Sequence, residues 1–221
     1  MPRECGASNP RLHGWNTGGA AYRIVRRSLS TGRRFAPPRW RTMTATCYCG
    51  SQMTAKAQKL IVLAGLPGSG KSTLAVGLSR SLSVPVFSVD PIEAAMWRGG
   101  LARAQTGVAA YDVAVTLADE HLRLGHSVIV DAVNPVEAPR AAWRNLAAQH
   151  QAGLKIIECL CADEAVHRGR IEARVRAIDG MPEITWARVL ERRAEYRAWT
   201  DARLTLDTPE TLLAAALRFV R

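Results

Sequence analysis

One short stretch decides what this chain can fold into. The apolar run LIVLAG (60–65) passes directly into LPGSGKST (66–73), so that Gly65, Gly70, Lys71 and Ser72 fit the pattern G-x-x-x-x-G-K-[ST]. A strand-like segment before the motif and a helix-like one after it are the context that gives the pattern meaning. Gly65, Leu66, Pro67, Gly68, Ser69, Gly70, Lys71, Ser72 and Thr73 form the expected cradle for nucleotide phosphates. The glycines let the backbone curl with its N–H groups inward, and the helix start adds unpaired donors and a positive dipole end. Lys71 is expected to reach the β- and γ-phosphates, and the Ser72 hydroxyl to ligate Mg²⁺.

The rest of the chain alternates strand and helix signals. After 60–65, the spacing predicts a helix over 72–82, a strand at 84–89 ending at Asp90, and a helix over 111–124 with an apolar stripe of Val113, Leu117, Ala118, Leu122 and Leu124. Gly125 stands where a C-cap belongs. A strand at 127–130 ends at Asp131, a helix covers 137–149, and a strand covers 154–160. Charged helices are expected over 163–177 and 183–199, a last strand at 203–206, and a closing helix from Pro209 to Val220. Five strands alternating with helices imply a parallel sheet with helices on both faces, an α/β fold that binds ligands at the carboxyl ends of its strands.

With these pieces in order, the chain resembles the small P-loop kinases grouped with polynucleotide kinase, zeta toxin and chloramphenicol phosphotransferase, the AAA-type predicted kinases. The matching residues are GLPGSGKST, VFSVD closing the second strand, SVIVDAVN closing the third, CADEAVHRGRIEAR after the fourth, and LTLDT near the end. The likeness spans roughly residues 58–221 and implies a P-loop NTPase with a helical lid. It implies Asp90 as the base that takes the proton of an attacking hydroxyl, with a cap for the turn before Pro91 as the structural alternative. It implies that Asp131 is directed at Mg²⁺, mostly through water, and that Asn134 touches acceptor or γ-phosphate, or else simply forms the turn before Pro135. Among Arg168, Arg170, Arg174 and Arg176, the pair Arg170 and Arg174, four apart, is expected to neutralise the transferred phosphoryl group. The others are expected to pair with Glu164 and Glu172 on a solvated face. Asp207-Thr208-Pro209 falls where such folds pass the adenine, leaving ATP and GTP both open. His121 and His167 are read as structural. The chain departs from the polynucleotide kinase pattern at Glu93, where an arginine is expected; Arg98 is the nearest substitute.

Charge argues against nucleic acid as a partner. The formal net charge is +11, yet residues 1–59 carry 11 of the 30 Lys and Arg and a single acid, Glu4. Residues 60–221 are left with 19 basic against 18 acidic residues, a net charge of +1. The basic stretch 1–57 shows neither helical nor strand period and is expected to lack a packed core. It reads as a transit-like peptide, a basic tail, or sequence ahead of a start at Met43 or Met53; 58–221 is expected to be the kinase domain. No apolar run approaches the ~20 residues of a membrane span. Cys5, Cys47, Cys49, Cys159 and Cys161 lack metal-ligand spacing and fit free thiols of a reducing, cytoplasmic setting, or an organelle if 1–57 is a transit peptide.

The expected activity is Mg²⁺- and ATP-dependent transfer of the γ-phosphate to a hydroxyl of a small-molecule or nucleotide-like acceptor. Two alternatives accompany it. One is a regulatory ATPase or switch without an acceptor. The other is an antibiotic-modifying or toxin-like kinase whose specificity lies in 91–126, around Trp97, Arg98, Arg103 and Tyr111.

Overall fold

A computed structural model describes residues 58–175, 178–207 and 212–221. The expectations for the leader, for Arg176 and for Thr208-Pro209 lie outside the described residues. The apolar run forms β1 (Lys59–Ala64), the central strand of a five-stranded, all-parallel sheet in the order β2-β3-β1-β4-β5. Its partners are β2 (Val86–Ser88), β3 (Val128–Asp131), β4 (Gly153–Cys159) and β5 (Leu204–Leu206).

Continuous apolarity in β1 follows from burial on both faces. Leu60, Val62 and Ala64 face one core, with Ala110, Ala114 and Leu122 of α3 (Arg103–Arg123) and Trp143 and Leu146 of α4 (Glu137–Gln149). Ile61 and Leu63 face the other, with Leu74, Ala75 and Leu78 of α1 (Lys71–Leu82) and Leu212, Ala216 and Val220 of α7 (Leu212–Val220). The chain crosses from β1 to β2, returns to β3 beside β1, and then moves to β4 on the other flank. The cradle after β1 therefore sits where the sheet order reverses, the place where an open α/β sheet leaves a crevice.

Several expected boundaries move. The second strand is shorter than 84–89, and Asp90 does not end it. Ser88 is instead the N-cap of α2 (Val89–Arg98), with Asp90 and Pro91 in the first helical turn. Proline is tolerated there because its missing N–H would have had no partner anyway. Asp90 is therefore not the cap. Helix α3 starts at Arg103 rather than 111, and its buried stripe is Thr106, Ala110, Ala114, Ala118 and Leu122. Val113, Leu117 and Leu124 are exposed; small alanines, not large residues, let α3 lie close to the sheet. Its end is as expected, since Gly125 (φ 82°) donates to the Leu122 carbonyl at 2.9 Å and His126 to that of His121 at 3.0 Å. The charged helices are α5 (Glu164–Glu172) and α6 (Trp186–Glu195), both shorter than their charge patterns suggest. Among the described residues no helix is long and apolar enough to cross a membrane.

Candidate active site

The cradle owes its shape to two close approaches. Gly65 (φ 130°) lies so near the end of β4 that a Cβ there would come within 2.1 Å of the Cys159 carbonyl oxygen. Gly68 (φ 82°) faces Ile171 of α5, whose Cδ1 would be 2.7 Å from a Cβ. Gly70 (φ 91°) is the N-cap of α1, and its carbonyl accepts from Leu74 N–H at 3.0 Å. Positive φ at these positions turns successive N–H groups to one side, as an anion-binding nest requires.

Lys71 is buried at the first position of α1, its Nζ donating to the Leu66 carbonyl at 2.9 Å. Burial lowers its pKa from the ordinary lysine value; Asp131 and Asp90 act against that shift, and Arg174 adds to it. A desolvated ammonium whose one hydrogen-bond acceptor here is a carbonyl is one that a phosphate would stabilise. Ser69 is also buried, and its Oγ has no hydrogen-bond partner. Buried hydroxyls without partners are uncommon in folded proteins. The donors of Lys71 and the unpaired Ser69 hydroxyl in one glycine-rich curl fit a phosphate chain.

Asp131 ends β3, in register with Leu63 of β1 and Ser88 of β2, and its Oδ2 accepts from Ser88 Oγ at 3.3 Å. It lines a cavity of about 1840 Å³ together with Lys71, Ser72, Asp90, Arg170 and Arg174. No cluster of three or more His, Cys, Asp or Glu capable of holding a metal occurs among the described residues. One carboxylate and one serine hydroxyl beside a phosphate cradle suit Mg²⁺, which keeps most of its waters and takes its other ligands from phosphate.

Arg170 and Arg174 both line the cavity and Arg168 does not, but the pair does not share a helix face as expected. Arg170 points its guanidinium at Cys161 Sγ, 3.6 Å away, and Arg174 lies beyond the end of α5; the two meet at the cavity wall rather than through shared helical spacing. Arg168 pairs with Glu172 at 2.7 Å on the solvated face, whereas Glu164 pairs with Arg193 of α6 at 2.9 Å. Two cavity arginines were invisible to sequence spacing, Arg188 and Arg192 of α6. Only the tertiary fold brings α6 to the cradle, so no local signal marks them. Arg98, offered above as a substitute for the missing arginine, turns away to Asp179, its Nε 3.7 Å from Oδ2.

Asn134 resolves toward structure. It is fully buried in a left-handed conformation (φ 53°), and its Nδ2 donates to the Leu63 carbonyl at 3.0 Å. Its Oδ1 accepts from Trp143 Nε1 at 2.9 Å, its N–H donates to Tyr111 Oη at 3.1 Å, and its carbonyl accepts from Arg140 Nε at 3.0 Å. With every polar group engaged, the side chain has nothing left to orient water or phosphate. Asn134→Ala is expected to cost about 3 kcal/mol, because it strands the buried Trp143 indole N–H; a melting temperature lowered by less than a few degrees would contradict this role. Tyr111, which covers the turn, is held protonated by burial, its pKa raised to about 12.

The side of the cavity away from the cradle is walled by α2 and α3. Glu93 Oε1 accepts from Thr106 Oγ1 at 3.0 Å, and that hydroxyl also accepts from Trp97 Nε1 at 2.7 Å. Arg103 stacks over Trp97, 4.6 Å from the ring centre. Glu93, Trp97, Arg103, Tyr111 and Asp112 all face the cavity.

Known proteins share this fold in outline. The model of a family described as an AAA domain matches residues 60–196. Uncharacterized protein Rv2004c of Mycobacterium tuberculosis is 32% identical over 128 residues, covering 52% of this chain and 26% of its own length. The chain thus spans about a quarter of the length of the curated relatives it matches, a second being protein Mb2027c of Mycobacterium bovis, also with 26% covered. Among solved structures, a proposed kinase of Chloroflexus aurantiacus is 22% identical with a TM-score of 0.61, over 74% of this chain and 97% of its own. Kti12 of Chaetomium thermophilum, in complex with ADP-AlF3, is 18% identical with a TM-score of 0.56, over 73% and 96%. The APS kinase CysC of M. tuberculosis, in complex with AMPPNP and APS, is 22% identical with a TM-score of 0.55, over 74% and 96%. At these identities the likeness is one of fold, that of the P-loop NTPases to which small kinases belong.

Proposed function

The chain belongs to this AAA domain family, with the fold of the small P-loop kinases, and on that premise we propose that it is an ATP- and Mg²⁺-dependent kinase acting on a hydroxyl of a small molecule. The observation that carries the reading is one cavity lined both by Lys71, Asp90 and Asp131 and by a separate wall of α2 and α3 residues, Glu93, Trp97, Arg103 and Tyr111. A nucleotide switch needs the first half of this arrangement and has no use for the second. A switch or ATPase also needs a residue to orient water, and the polar groups of Asn134, which follows Asp131, are engaged within the fold.

Asp90 takes the proton of the acceptor hydroxyl as its oxygen attacks the γ-phosphorus in line. The new O–P bond forms as the bond to the β-phosphate oxygen breaks, and ADP leaves carrying that electron pair. Lys71 holds the β- and γ-phosphates, and Arg170 and Arg174 offset charge on the transferred group. Ser72 and Asp131 would hold Mg²⁺, which would supply charge neutralisation for the transferring phosphoryl group. The chemistry is chiefly positioning and electrostatics.

The wall opposite the cradle favours an acceptor without its own phosphate. Glu93 and Asp112 present carboxylates there, and Glu93 has the neutral Thr106 hydroxyl as its hydrogen-bond donor. Two carboxylates against the one guanidinium of Arg103, which lies over the Trp97 ring, suit polyols or amino alcohols, and the excess of like charge penalises sugar or nucleoside monophosphates. Acceptor-dependent ADP formation, screened across these classes, is expected from neutral or amine-bearing hydroxyl compounds. A response confined to phosphorylated acceptors would overturn the class assignment, and no response from any acceptor would support the ATPase alternative.

A further inference from the structure

The sequence gives His167 no partner, yet the fold places it at the junction between the cradle and the cavity arginines. Its ring is 1% exposed, and Nε2 lies 2.7 Å from the carbonyl oxygen of Pro67, in the middle of the phosphate loop. A carbonyl only accepts, so Nε2 donates to it; Nδ1 is buried and has no hydrogen-bond partner among the described residues. One turn further along α5, Ile171 presses on the same loop at Gly68, where His167 Cδ2 would also be 3.2 Å from any Cβ. The other side of the imidazole meets the Trp186 ring edge-on, 5.2 Å between centres. Trp186 begins α6, the helix that brings Arg188 and Arg192 to the cavity, and α5 itself brings Arg170. Arg193 of α6 closes the unit, pairing with Glu164 of α5 and lying over the Trp186 ring at 5.4 Å.

Resting on the nucleotide-binding half of the proposed function, we propose that His167 is a positioning residue that latches the phosphate loop to α5 and α6, so that nucleotide binding at the cradle and docking of the arginine-bearing helices are coupled through its bond to the Pro67 carbonyl. Drawing that carbonyl toward α5 turns it from the phosphates and leaves the following N–H groups facing them. A latch of this kind acts in both directions. A nucleotide that fixes the loop also fixes α5 and α6, and loosening α5 weakens the nucleotide by the same factor.

Two variants separate the hydrogen bond from packing. His167→Phe keeps a ring against Trp186 and loses the donor, whereas His167→Gln keeps an N–H able to reach the carbonyl. With the full chain and ADP as probe, His167→Phe is expected to bind about tenfold more weakly and His167→Gln within about threefold of wild type. Hydrogen exchange should show ADP protecting amides of α5 and α6 in wild type, with that protection lost in His167→Phe while the amides of 68–72 remain protected. Equal ADP affinity in wild type and His167→Phe, or unchanged protection of α6, overturns the latch and leaves the kinase reading intact. Wild-type protein that binds ADP but transfers phosphate to no acceptor does the reverse. A third readout needs no variant. Long-range ¹⁵N–¹H spectra of the wild type should show the proton of His167 on Nε2, and a proton on Nδ1 with Nε2 bare contradicts the proposal.

Discussion

Asp90→Asn is expected to lower kcat for phosphoryl transfer by about a thousandfold, within the range for loss of a general base, while the dissociation constant for ADP changes by no more than about threefold. The two expectations together make the prediction specific. Asparagine has the shape of aspartate and is tolerated in a first helical turn, so α2 should start at the same place and Val89 and Ala94 should keep their buried positions. What the amide cannot do is accept the acceptor's proton. A merely structural Asp90 would give a variant with a lower melting temperature and nearly normal turnover. A residue that grips the nucleotide would instead give a weakened ADP complex. Steady-state kinetics with an acceptor from the screen, paired with an ADP titration and a melt, distinguishes all three.

Lys71→Met has effects of opposite sign on stability and activity. In the free protein, burial holds the Lys71 pKa below its ordinary value of 10.5. Between the folded and unfolded values the unfolded chain therefore binds more protons than the folded one. The charged side chain thus opposes folding at all pH values below its folded-state pKa, and that opposition fades as pH rises toward 10.5. Methionine fills similar space without charge, so the variant without nucleotide is expected to melt no lower than wild type at neutral pH. Activity should fall by about a thousandfold, because a charge aimed at the β- and γ-phosphates stabilises the transferring group most when it is desolvated. The rise in melting temperature that ATP gives the wild type should shrink or vanish. A variant that melts lower than wild type, yet still gains as much from ATP, would contradict the reading of Lys71 as a phosphate ligand held at a cost to the fold.

These predictions rest on residues that the sequence already singled out, and the reason is local. The cradle is contiguous, its glycines are required by backbone geometry, and its place between strand and helix is visible in hydrophobic pattern alone. Asp131 was legible for a similar reason, as the polar end of a buried strand. Asp90 was found by position and misplaced in structure: Ser88, Asp90 and Pro91 together form a helix-start signature that the strand reading of 84–89 obscured. The α3 stripe was read in part: Ala118 and Leu122 are buried as expected, but Val113 and Leu117 were preferred to Ala110 and Ala114 because large residues outweigh alanines in any hydrophobic tally. Arg188, Arg192 and His167 lie about a hundred residues from the cradle in sequence, and only the tertiary fold brings the arginines to the cavity and His167 to the Pro67 carbonyl. Asn134 was ambiguous for the opposite reason. Its hydrogen bonds with Leu63, Tyr111, Arg140 and Trp143 reach elements whose proximity the sequence does not display.

The central claim, that phosphate leaves ATP for an organic hydroxyl and not for water, is tested most directly by following the label from γ-³²P-ATP. The full chain is incubated with Mg²⁺ and a pool of small metabolites, and the products are separated into organic and inorganic phosphate. The account predicts label in an organic phosphate with wild-type protein and its disappearance with Asp90→Asn. Label found only in inorganic phosphate, released at the same rate by both proteins, would contradict it.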